Sequence, residues 1–169
     1  MIDTAWDKKI DRFYAEKFDE ADPDGAIATM HMLASERPAG DAAALFELGG
    51  IHDALGRETE AIPLYRAAIK AGLDGERATR VLIQLASSLR NVGGSSEAVS
   101  ILETAPSSDV DVGARQAFLA LALYDEGRYG DALRIALQAL IPTLDGYQRA
   151  LTEYAEELPS TVSSAHGQR

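Results

Sequence analysis

The sequence predicts an all-α protein, a solenoid of about four helix-turn-helix repeats followed by a C-terminal capping helix. Two observations carry that expectation. Gly56, Gly93 and Gly127 each end an apolar helical stretch, at separations of 37 and 34 residues. Around each glycine the same small framework recurs: Leu48, Leu85 and Leu119 eight residues before it, then Ala61, Ala98 and Ala132 five residues after it. Ala68, Ala105 and Ala139 follow seven residues further on. A period of about 34 residues is the mark of stacked helix pairs, none of which can bury its apolar face alone. The second observation is composition: 46% of residues are hydrophobic but only 7% aromatic. The apolar content is mostly Ala and Leu, strong helix formers that let helices pack closely.

The elements follow in order. Thr4 with Asp7 three residues on suggests a capping box for a helix to residue 19, and Asp22-Pro23 opens the next, with proline at its first position. This first repeat (residues 5–38) is a degenerate copy, with Phe13, Ala26, Met30 and Pro38 at the framework positions. In the second (41–73), Asp41 caps a helix over 41–54 and Gly56 supplies the left-handed residue that ends it. Its partner spans about 58–71 with Pro63 near its first turns. The third (74–109) has Asp74 as cap, a helix to residue 92, the Gly93-Gly94 break, and Ser95 capping a helix to 105. The fourth (111–142) pairs helices over about 112–126 and 129–140. A ninth helix, 145–158, places Tyr147, Leu151, Tyr154 and Leu158 on one face. Either it packs through Tyr147, Leu151 and Tyr154 over the helix holding Ala117 to Tyr124, which is apolar nearly all round, or a second chain covers that helix. Residues 1–159 then form one domain, and 160–169 a disordered tail.

The order of leucine, small residue, glycine, alanine, large residue and alanine, standing as Leu45, Leu48-Gly49, Gly56, Ala61, Tyr65 and Ala68, resembles the tetratricopeptide repeat. The stretch from Phe46 to Tyr65, with Leu85 to Asn91 and Ala117 to Tyr124, is similar more specifically to tetratricopeptide repeat group 5, a family of small bacterial, often actinobacterial, proteins. The resemblance covers about residues 5–158. It implies a right-handed superhelix whose first helices line a concave groove that takes up peptides or helices of partner proteins.

Charge and chemistry narrow the function further. Sixteen Lys and Arg against 27 Asp and Glu give a net charge of −11, which argues against nucleic acid or an anionic membrane as partner. The absence of cysteine excludes disulfides, thiolate metal sites and cysteine nucleophiles. No apolar run approaches a membrane span or a signal peptide, so a cytoplasmic location is expected. His31, His52 and His166 lie in different repeats or the tail, and none has metal-ligand spacing; His52 takes a packing position. The acids at 19, 20, 22 and 24 lack the spacing of a calcium loop, and Gly93-Gly94-Ser95-Ser96 lacks the lysine of a phosphate loop. Neither a catalytic set nor a cofactor or metal site emerges, and the chain reads as non-enzymatic.

What remains is the inner surface. At about 100° per residue, Val81, Leu82, Leu85, Ala86 and Leu89 fall on one side of their helix. Arg80, Gln84, Ser87 and Asn91 fall along one line on the other. Equivalent positions hold Phe46, Gly50 and Asp53 in the second repeat and Ala117, Leu121 and Tyr124 in the fourth. The resemblance adds Ile83, at a groove position of the family. The same positions, Asp11, Ala15, Phe46, Gly50, Ile83 and Ser87, lack the Lys, Asn and Arg with which chaperone-binding relatives grip a terminal carboxylate. The candidate groove is therefore Phe46, Asp53, Arg80, Ile83, Gln84, Ser87, Asn91, Leu121 and Tyr124, with Arg80 the contact for an acidic or polar peptide. Two functions stay open: a protein- or peptide-binding adaptor, or a module whose groove or end face is buried by another copy of itself as a homodimer or oligomer.

Overall fold

The computed structural model describes residues 4–106 and 111–160; all but the first residue of the expected tail lies outside them. Among the described residues nine α-helices run in chain order: α1 (Thr4–Glu16), α2 (Pro23–Ser35), α3 (Ala42–Ala54), α4 (Glu58–Lys70), α5 (Gly75–Asn91), α6 (Ser95–Thr104), α7 (Val112–Asp125), α8 (Tyr129–Leu140) and α9 (Gln148–Glu157). A 3₁₀ turn over Ile141–Thr143 joins the last two. The described residues contain no strand.

The packing order is that of a solenoid. Helices pair as α3 with α4, α5 with α6 and α7 with α8. The second helix of each pair meets the first of the next, and the first helices stack, α3 on α5 and α5 on α7. The repeat glycines adopt the left-handed backbone that turns one helix into its partner: φ is +67° at Gly56, +84° at Gly93 and +74° at Gly127.

Small residues at the framework positions are what allow the pairing. Ala61 and Ala98 are fully buried, Ala86, Ala120 and Ala132 nearly so. A Cβ added at Gly49 would stand 2.6 Å from the Tyr65 ring, so α3 and α4 approach through a bare backbone on one side and an aromatic on the other. Ala98→Leu is expected to destabilise the protein by about 1–3 kcal/mol, the range for overpacked sites, in urea unfolding. Unchanged stability would mean that α5 and α6 do not cross there.

Local signals at the helix starts are matched in two of four places. The Asp22 side chain accepts from the Gly25 N–H at 3.1 Å and that of Asp41 from the Ala44 N–H at 3.0 Å. Asp74 occupies the N-cap of α5 without a side-chain bond. Ser95 lies one residue inside α6, because Gly94 takes the cap and bonds back to the Leu89 carbonyl at 2.7 Å. Helix α1 stops at Glu16, three residues early, as the N–H groups of both Lys17 and Phe18 turn onto the Phe13 carbonyl. Asp7 is bonded across the fold to Arg77 at 2.9 Å, and the capping box expected from the Thr4 side chain lies outside what is described.

The last helix differs from expectation. It begins at Gln148, and Tyr147 becomes its left-handed cap, with φ +63° and 87% of its surface exposed. Tyr154 is 63% exposed. Helix α9 packs on α8 and the 3₁₀ turn rather than on α7, through the buried Ala155 and the half-buried Leu151 and Leu158. Arg134 of α8 clasps it by donating to the carbonyls of Ala155 and Leu158. These bonds, with the packing of Ala155, Leu151 and Leu158, hold α9 on the flank of α8. Leu121 and Tyr124 of α7 consequently stay exposed.

Candidate functional site

Helices α1, α3 and α5 enclose a groove of about 1140 Å³. Its floor is the stripe of α3 at 46, 50 and 53, residues one turn apart on one helix face. Phe46 is nearly buried, its ring 6.0 Å from that of Tyr65. Gly50 has no side chain, and the atom nearest to where a Cβ would stand is the Tyr14 hydroxyl, at 3.1 Å. Asp53 accepts from the Ser88 hydroxyl at 2.7 Å and the Tyr65 hydroxyl at 3.3 Å. Burial pushes its carboxyl above the usual range, and these two hydrogen bonds pull it part of the way back. Burial likewise raises the Tyr14 and Tyr65 hydroxyls, so both are hydrogen-bonding groups rather than acids.

The α5 wall is the line Arg80, Gln84, Ser87 and Asn91, and all four side chains line the groove. Arg80 is already engaged, at 3.3 Å from Asp111 and 3.5 Å from Glu76, while remaining half exposed. Asn91 donates to Glu58 at 3.0 Å. The Oε1 of Gln84 is buried with no donor. Arg80→Ala should shift the unfolding free energy by no more than about 0.5 kcal/mol, since exposed pairs contribute little. A larger loss in urea unfolding would make Arg80 structural.

Six of the nine candidate residues therefore come together: Phe46, Asp53, Arg80, Gln84, Ser87 and Asn91. Three do not. Ile83 is buried in the core with Leu85 and Leu89; its neighbour Gln84 lines the groove, and the roughly 100° step between them turns Ile83 inward. Leu121 and Tyr124 are exposed on α7, outside the space bounded by α1, α3 and α5, with Tyr124 against Tyr129 at 5.0 Å between ring centroids. His52 is half-buried and burial lowers its pKa, in keeping with a packing position.

Sequence reasoning missed the network at the other end of the groove. Arg77 donates to Glu47 at 2.8 Å and Asp7 at 2.9 Å, joining α5 to α3 and α1. The guanidinium carbons of Arg37 and Arg77 lie 5.3 and 5.5 Å from the centroid of the Trp6 ring, whose N–H donates to the Leu33 carbonyl. Arg37 also pairs with Asp41 at 2.8 Å. Burial raises the Glu47 carboxyl, while Arg77 draws it down. The one sequence signal was Glu47 itself, the sole charge between Ala42 and Ile51.

The stacked pairs, the repeat glycines and the small crossing residues agree with a family comparison, in which the Tetratrico peptide repeat model matches residues 42–158. The chain belongs to the tetratricopeptide repeat family. Repeats of this kind mediate protein–protein interactions and are in general non-catalytic scaffolds. No curated protein matches the chain. Among the described residues, no helix is long and apolar enough to cross a membrane, and no three His, Asp or Glu side chains are grouped as metal ligands.

Proposed function

We propose that this tetratricopeptide repeat protein is a non-enzymatic, cytoplasmic adaptor that holds a segment of a partner protein in the groove between α1, α3 and α5. The observation that carries the reading is the groove itself: residues of three first helices line about 1140 Å³ of space. Its floor drops to bare backbone at Gly50, and its walls offer both an aromatic and polar side chains. The test is a pull-down from the native cell with the full chain, Ser87→Trp and Glu156→Lys. Ser87→Trp plugs the groove from α5, whereas Glu156 is exposed on α9. A partner lost with Ser87→Trp and kept with Glu156→Lys supports the reading. A partner kept by both overturns it.

A second reading, self-assembly into a homodimer or oligomer, is favoured by the exposed Leu121, Tyr124, Tyr129 and Leu133 of α7 and α8, which are 45–61% exposed. It requires a mass that rises with concentration in sedimentation equilibrium and falls back to the monomer in Leu121→Asp. A constant monomer mass rules it out.

A further inference from the structure

We infer that the segment held in the groove is cationic, a stretch of a partner protein that places a Lys or Arg against Asp53 of α3. The inference rests on the groove-binding function proposed above and adds the chemistry of the ligand.

Three arginines and seven carboxylates line the groove, and no lysine does. All three cations are already committed: Arg37 to Asp41, Arg77 to Glu47 and Asp7, and Arg80 to Glu76 and Asp111. The carboxylates left over are Asp11, Asp53 and Asp74, which have no cationic partner among the described residues. An acidic ligand would have to break internal ion pairs to find a counter-charge, and would meet the leftover carboxylates as it entered. A basic one meets open charge.

Asp53 is the strongest position of the three. It lies in the last turn of α3, where the carbonyl ends of the helix already make the potential negative. Its two hydrogen bonds come from neutral hydroxyls, so the charge is held in place without being cancelled. The Ser88 hydroxyl, whose proton goes to Asp53 at 2.7 Å, lies 3.0 Å from the Gln84 backbone carbonyl one turn earlier on α5. One turn before Asp53, Gly50 leaves the backbone uncovered up to the Tyr14 hydroxyl, which gives the stem of a long side chain a path along the floor. A carboxylate held by neutral donors and a clear approach to it together fit an ammonium or guanidinium group.

The test is fluorescence anisotropy with the full chain and three fluorescein-labelled peptides that share the same Leu and Ala positions and carry Lys, Gln or Glu at the others. The Lys peptide is expected to bind at least about tenfold more tightly than the Glu peptide, with the preference shrinking as salt rises. The double variant Asp11→Asn/Asp53→Asn should weaken the Lys peptide by roughly three- to tenfold, and Glu156→Gln/Glu157→Gln on α9 by less than about twofold. Asp11 is exposed, so Asp11→Asn alone keeps the comparison sound if the change at Asp53 disturbs the fold. Tighter binding of the Gln or Glu peptide, or equal losses from the groove and α9 variants, overturns the cationic ligand and leaves groove binding standing. Failure of all three peptides to bind overturns both.

Discussion

Arg77→Ala is expected to cost the fold about 3 kcal/mol, the low end for breaking a buried ion pair. The low end applies because a quarter of the Arg77 side chain still meets water, whereas Glu47 is almost wholly buried. Removing the guanidinium strands the Glu47 carboxylate between α3 and α5, frees Asp7 of α1, and takes one cation from the Trp6 ring. The loss should depend on pH in a definite direction. Burial raises the folded-state pKa of Glu47, and Arg77 opposes that rise. A carboxyl raised on folding stabilises the protein while it holds its proton, and that contribution is lost as pH rises through the folded value. Without Arg77 the folded value climbs further, so the variant's deficit should be full at neutral pH and shrink in acid, where Glu47 is protonated. Urea unfolding of both proteins across that range measures it. A deficit that grows in acid would show that Glu47 is not the stranded group. Glu47→Gln in the Arg77→Ala background should recover part of the loss at neutral pH.

The same network shows where sequence reading reaches its limit. Asp7 and Arg77 are 70 residues apart, and no periodicity links them, because an ion pair across stacked helices depends on superhelical geometry rather than on local spacing. Helix pairs and their crossings were legible for the opposite reason: Gly56, Ala61 and Ala68 answer to contacts made within one repeat, and the pattern recurs whenever the repeat does. The groove stripes of α3 and α5 were legible too, since Phe46, Gly50 and Asp53 or Arg80, Gln84 and Ser87 need only helical spacing. Ile83 shows the cost of transferring a family position without regard to the apolar stripe beside it. At α9 the sequence showed an amphipathic helix but not its partner, because the bonds that hold it to α8 run from Arg134 to backbone carbonyls more than 20 residues away. The charge of the groove is not legible in the sequence, where Arg80 reads as a free donor. Its partner Asp111 is 31 residues away, in the segment leading to the next repeat.

Gly49→Leu should be at least as damaging as the loss of Arg77, at about 3 kcal/mol or more, the upper range of overpacking. Two effects oppose each other at this position. Glycine inside a helix is worse than alanine by about 1 kcal/mol, so a side chain here would help an isolated α3. Against that, even the first carbon would stand 2.6 Å from Tyr65 Cδ1 and 2.7 Å from its Cε1. The Tyr65 ring is fully buried and tied by its hydroxyl to Asp53, so it has nowhere to swing. The clash prevails over propensity, more so for leucine than for alanine. Tyr65→Ala alone should cost about 3–5 kcal/mol through the cavity it leaves. The double variant is the decisive measurement, because leucine at 49 can grow into the space vacated at 65. Its cost should fall well below the sum of the two single changes, by more than the roughly 0.5 kcal/mol within which independent sites add. Simple additivity would mean that Gly49 and Tyr65 do not touch. The register of α3 against α4 would then be wrong, and Phe46, Gly50 and Asp53 would lose the placement that makes them the floor of the groove.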